Sequence, residues 1–165
     1  MSKLYAAYAS GLNSKQMALR CQTAKATAKS WLFDHRLVFK GRHDGAHATV
    51  EPEEGQAVPV LVWEISDQDE AALDGYHCVS EGYYTKEYVP LEVAGEIREV
   101  LIYTMRPCDY GLPTKKYLDT VTRGYLEWNF PMTTLEEAVA HSYNGSIVYL
   151  NSSKEEFKNA LQPEY

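Results

Sequence analysis

The sequence predicts an α+β domain in which helices flank a mostly antiparallel, strongly curved sheet. Three observations predict it. Strand-like segments outnumber helix-like ones and lie close together in the chain. Their apolar residues either alternate, as over Ala46–Glu51, or run almost without a break, as in Val58–Ile65 (VPVLVWEI). The helical segments are short and open on capping residues such as Asn13, Ser66 and Thr134. At 165 residues a single domain is expected over 1–165, with 145–165 as a C-terminal strand–helix extension.

In chain order, Lys3–Tyr8 reads as a strand and Asn13–Arg20 as a helix. Asn13 can cap that helix, with Gln16 at the position a capping box requires. Thr23–Leu32 and His35–Lys40 read as two strands around Phe33-Asp34. Ala46–Glu51 is a short alternating strand. Val58–Ile65 should be buried on both faces, with Pro59 near its start or at a sheet edge. Ser66-x-x-Asp69 opens a helix to about Asp74. Tyr83–Val93 and Ile97–Met105 form an antiparallel pair across Ala94-Gly95, followed by a Pro/Gly-bearing loop over Arg106–Pro113. Lys115–Leu126 and Leu135–His141 read as helices, Ile147–Leu150 as a strand, and Ser152 or Ser153 as the start of a terminal helix.

The net charge is −7, yet the first fifty residues hold eight lysines and arginines against only Asp34 and Asp44. An acidic chain is a poor binder of nucleic acid polymers, while a basic N-terminal third favours a small anionic ligand. Thirteen tyrosines fit a Tyr-lined cavity. No apolar run reaches the ~18 residues of a membrane helix, and Met1-Ser2-Lys3 leads into a strand with no apolar leader core. Cys21, Cys78 and Cys108 lack metal or redox spacing, so reduced thiols in a cytoplasm are expected. His43-x-x-x-His47 has ligand spacing for a helix, but Asp44-Gly45 interrupts it. With His35 elsewhere in the sequence, no metal and no cofactor are expected.

Several stretches together resemble one family, the gamma-glutamylcyclotransferase-like proteins. YAAYASGLNSKQM resembles their opening strand and Tyr-Gly-Ser-Asn-Leu turn. ATVEPEEGQAVPVLVWEIS resembles their turn and Val-rich strand. LDGYHCVSEGYYTKEYVPLEV resembles their Leu-Asp-x-x-Glu-Gly segment, and GLPTKKYLDTVTRGY their late Pro-x-x-x-Tyr segment. The resemblance covers roughly residues 4–128. It implies a small curved barrel with packed helices and one central cavity. It also implies conversion of a γ-glutamyl group to 5-oxoproline, with the turn's amides holding the substrate carboxylate and a glutamate as base.

Carried over residue by residue, Tyr8, Ser10 and Leu12 match the first motif, with Ala9 at a usual glycine and Gly11 at a usual asparagine. These five residues form the expected anion-binding turn. Without a gap, His77 stands at the glutamate position and Cys78 at the following glycine, while Tyr84 and Tyr117 match the later tyrosines. A four-residue shift instead places Glu81-Gly82 at the Glu-Gly pair and loses the Tyr84 match. His77 beside Cys78 is not read as a nucleophile pair, because neighbouring side chains point apart. Two functions follow. One is a binding protein that has lost the base and sequesters an anionic metabolite, such as a signalling nucleotide. The other is a cyclotransferase that uses His77 or Glu81.

Overall fold

The structure is a computed structural model that describes residues 3–42 and 45–147. Five strands form one mixed sheet: β1 (Lys3–Ala7), β2 (Lys25–Lys40), β3 (His47–Ile65), β4 (Tyr84–Val93) and β5 (Glu96–Met105), in the order β2-β3-β1-β5-β4. Only the β1–β5 pair is parallel, with Tyr5 opposite Leu101. The α+β, mostly antiparallel architecture is as the sequence predicts. The sheet is curved but stops short of closing into a barrel: β2 and β4 remain its two edges.

The curvature has a local cause. The expected break at Phe33-Asp34 is a bulge inside one long strand, as is the gap expected between Glu51 and Val58 in β3. Asp34 takes φ 56° and Gly55 φ 82°, and Asp34 Oδ1 accepts the Gly55 N–H at 3.0 Å. Turn-like residues therefore bend two paired strands at one level instead of ending them. Val58–Ile65 lies inside the sheet, and Val58, Val60 and Val62 are fully buried. Pro59 is tolerated because β1 ends opposite Leu61, so β3 has only β2 beside it at that level.

Among the described residues four helices pack on the sheet: α1 (Ser14–Arg20), α2 (Asp67–Tyr76), α3 (Lys115–Glu127) and α4 (Met132–Ile147). The Asn13 side chain accepts from the Lys15 and Gln16 amides, and Ser66 with Asp69 forms a full capping box. Ala94 and Gly95, both at positive φ, make the two-residue β4–β5 turn. The helix α4 departs from expectation. It starts at Met132, directly after Pro131, so Thr134 lies within its first turn, and it runs through Ile147 where a strand was expected. The rest of that strand and the terminal helix lie outside the described residues. No described helix is long and apolar enough to cross a membrane.

One contact fixes the loop that follows β1. This loop is a 3-10 turn, Ser10–Leu12, packed against α3 at Gly124. A Cβ on Gly124 would fall 2.6 Å from Leu12 Cβ and 2.9 Å from the Asn13 nitrogen. Gly124→Ala is expected to destabilise the fold by about 2–3 kcal/mol through overpacking. Denaturant unfolding measures this, and a change below about 0.5 kcal/mol would mean that α3 can shift freely.

Candidate functional site

The turn after β1 is held from behind by two indoles. Trp63 Nε1 donates to the Gly11 carbonyl at 3.1 Å, and Trp128 Nε1 donates to the Leu12 carbonyl at 2.7 Å. Within the turn, the Leu12 amide donates to Ala9 and the Asn13 amide to Ser10. Those two bonds use neither the Ser10 nor the Gly11 N–H, the donors that a helical turn leaves over at its start. Ala9 sits at φ −137°, so no glycine is needed there. Gly11 is needed for space: a Cβ would lie 2.9 Å from Ala7 Cβ and 3.0 Å from the Tyr5 hydroxyl.

The Ser10 hydroxyl is positioned by neighbours that sequence reasoning did not single out. It lies 3.0 Å from Tyr76 Oη and accepts from Arg20 Nη1 at 3.4 Å. The Arg20 guanidinium in turn covers the Tyr76 ring at 3.3 Å. Arg20 reaches this place from the C-terminal end of α1, one short helix after the turn.

His77 caps the C-terminal end of α2. Its ring stacks on Tyr103, with centroids 4.1 Å apart and planes 6° apart, and meets the edges of Tyr76 and Tyr84 at 5.0 Å each. Nδ1 donates to the Leu73 carbonyl at 2.9 Å. Burial pushes the imidazole down to about 4, against the opposing effect of that hydrogen bond. His77 is therefore neutral at pH 7. Folding favours the neutral ring, so its contribution to stability is complete above pH 6.5 and is lost as pH falls towards 4. A loss of about 2–3 kcal/mol over that interval is expected. Urea unfolding at pH 7 and pH 5 detects its onset, and His77→Phe should flatten it; an unchanged slope in the variant would assign the titration elsewhere.

These elements surround one cavity of about 480 Å³. The structure brings Tyr8, Ala9, Ser10, Gly11, His77, Tyr84 and Tyr117 to its wall. It does not bring Leu12 or Glu81. Leu12 is fully buried in the core under Gly124, because its side chain leaves the turn on the side away from the cavity. Glu81 is exposed in the loop before β4, where Ser80 Oγ donates to it at 2.7 Å. The tyrosine hydroxyls largely serve the scaffold: Tyr8 donates to the Tyr103 carbonyl, Tyr84 to the Ala48 carbonyl, and Tyr117 accepts the Ala48 N–H. Burial raises all three phenols, so they stay protonated.

The charged part of the wall draws on the basic N-terminal third, although no single cation of it stands out as a site residue in the sequence. Lys40, Arg42 and Arg106 line the cavity, and among the described residues no carboxylate does. Lys40 is held by Glu51, 2.6 Å away. Burial works against the Glu51 charge, but hydrogen bonds from Lys40, Tyr110 and Arg36 outweigh it and hold the carboxyl down at about 2. Cys78 and Cys108 also border the cavity, and burial raises the Cys108 thiol, which leaves it protonated. Among the described residues no group of three or more His, Cys, Asp or Glu is placed to hold a metal ion; His43 lies outside them.

The fold and this cavity define a class. Solved structures share the architecture: a structure described as "Gamma-glutamyl cyclotransferase" is 23% identical with a TM-score of 0.73, covering 96% of this chain and 97% of its own. An uncharacterized protein from Homo sapiens, loc79017, is 22% identical with a TM-score of 0.72, covering 96% of each chain. YkqA from Bacillus subtilis is 19% identical with a TM-score of 0.69, covering 86% of this chain and 54% of its own. These likenesses show the fold. The family model "Gamma-glutamyl cyclotransferase, AIG2-like" matches residues 7–128, and the chain belongs to that family. A search of curated proteins gave no match.

Proposed function

We propose that the cavity binds a small anionic ligand, phosphate-bearing, and does not turn it over. The observation that carries this reading is the make-up of the wall: the basic side chains of Arg106, Arg42 and Lys40 (the last paired with Glu51), two amides outside the turn's own bonds, a neutral His77 and, among the described residues, no carboxylate. Such a wall favours phosphate or carboxylate over a free ammonium group. The charged end of the ligand sits at Ser10 and Gly11, and a flat portion lies against Tyr84 or Tyr117, as in a nucleotide. The volume suits a ligand of that size. A protein of this kind sequesters its ligand. An acidic chain argues against a nucleic acid polymer as partner, and three free cysteines fit a reducing cytoplasm.

The second reading is a cyclotransferase. It rests on the neutral ring of His77, since Glu81 lies outside the cavity. With its pKa near 4, however, His77 is a weak base at neutral pH. A thermal-shift screen of nucleotides against γ-glutamyl compounds separates the readings. A ligand at a hundred times its Kd stabilises by about 2.7 kcal/mol. Stabilisation by nucleotides, with no 5-oxoproline released from γ-glutamyl dipeptides, is expected. Stabilisation by γ-glutamyl compounds alone, with rapid release abolished by His77→Ala, would overturn the binding reading.

A further inference from the structure

The histidine at the centre of the wall has a fixed hydrogen-bonding sense. The Leu73 oxygen is a carbonyl and only accepts, so the bond at 2.9 Å places the ring proton on Nδ1. The same carbonyl accepts the His77 backbone N–H at 2.9 Å, which uses both of its lone pairs on one residue. A half-turn of the ring would abandon that bond. Nε2 is then a bare lone pair. It makes no hydrogen bond among the described residues, and it is not among their sealed, unpartnered atoms, while His77 itself lines the cavity.

An unpartnered acceptor on a cavity wall selects for a donor, because a ligand that covers it without an N–H or O–H leaves it desolvated and unpaired. We infer that His77 is a specificity-determining residue, and that the ligand presents an N–H or O–H group to its Nε2 beside the anionic group held at the turn. The inference rests on the cavity being the anion site proposed above. It adds a requirement which charge alone does not impose: a phosphate ester without a donor, of the same size, is discriminated against.

The test uses a matched pair of flat phosphate esters, 4-aminophenyl phosphate and 4-methylphenyl phosphate, which differ by an amino group against a methyl. Each is titrated into the full chain, with amide shifts of cavity residues as the readout. The amino compound is expected to bind roughly tenfold more tightly, the value of one net hydrogen bond. In His77→Phe, which keeps a ring to stack on Tyr103, the two should bind alike. Equal affinity for both esters in the native chain would overturn the donor requirement and leave the anion site standing. No shift from either ester at millimolar concentration would overturn the anion site and the requirement together. Ring nitrogen shifts of the native chain at pH 7 are a second measurement independent of any variant. A protonated Nδ1 and a bare Nε2 are expected, and the opposite tautomer would overturn the inference.

Discussion

His77→Glu is expected to raise 5-oxoproline release from γ-glutamyl substrates by roughly 10²–10⁴-fold over the native chain, the usual worth of a positioned general base. The position is already built for one. It lies at the end of α2, its neighbour Tyr76 touches Ser10 of the turn, and the surrounding tyrosine rings desolvate it. Desolvation that pushes an imidazole down to about 4 pushes a carboxyl up, towards the pH at which it works best as a base. His77→Gln controls for shape and should stay at the native rate. If the glutamate variant is no faster than native, either the base is not what limits turnover or the cavity no longer admits γ-glutamyl compounds. A substrate-binding measurement on the same variant separates those two outcomes.

Tyr103→Ala is expected to cost about 3–5 kcal/mol, the largest effect on stability of any single truncation at this site. The ring is 1% exposed, stacks under His77 and meets the edge of Tyr5 at 5.8 Å. Its hydroxyl donates to Asp74 Oδ1 at 2.6 Å, and Asp74 also pairs with Lys86 at 3.0 Å. Tyr103→Phe removes only the hydroxyl and should cost about 1–2 kcal/mol. It keeps the stack, so ligand binding at His77 should survive in the phenylalanine variant and fail in the alanine variant. Equilibrium denaturation of both proteins checks the pair, and equal losses would mean that the ring contributes nothing beyond its hydroxyl.

Much of the fold is legible in local chemistry. Asn13, the Ser66–Asp69 box and the Ala94-Gly95 turn act within a few residues of themselves, so their signals stand in the sequence. The buried run Val58–Ile65 is equally plain, since a strand covered on both faces needs apolar residues at every position. The family motifs likewise led to Ser10, His77, Tyr84 and Tyr117, which the structure places around one cavity. Asp34 and Gly55 show where such reading fails. Residues that favour a turn also favour a bulge, and which one forms depends on whether the partner strand continues past them. Leu12 fails for a related reason: the motif locates the turn, while the packing of Gly124 decides which of its side chains goes into the core.

By itself the sequence determined an α+β chain with its caps, its turns and its buried strand, and it offered a histidine, His77, as a candidate site residue. Only the tertiary structure decided what that histidine is. Its neutral state comes from three tyrosine rings on α2, β4 and β5, and its tautomer from a carbonyl one helical turn back. The cations of the wall were decided in the same way. Lys40 ends β2 and Arg42 follows it, Arg106 follows β5, and the Lys40–Tyr110 bridge joins the two regions. The charge of a cavity is a sum over residues far apart in the chain, and folding alone sets which of them are included.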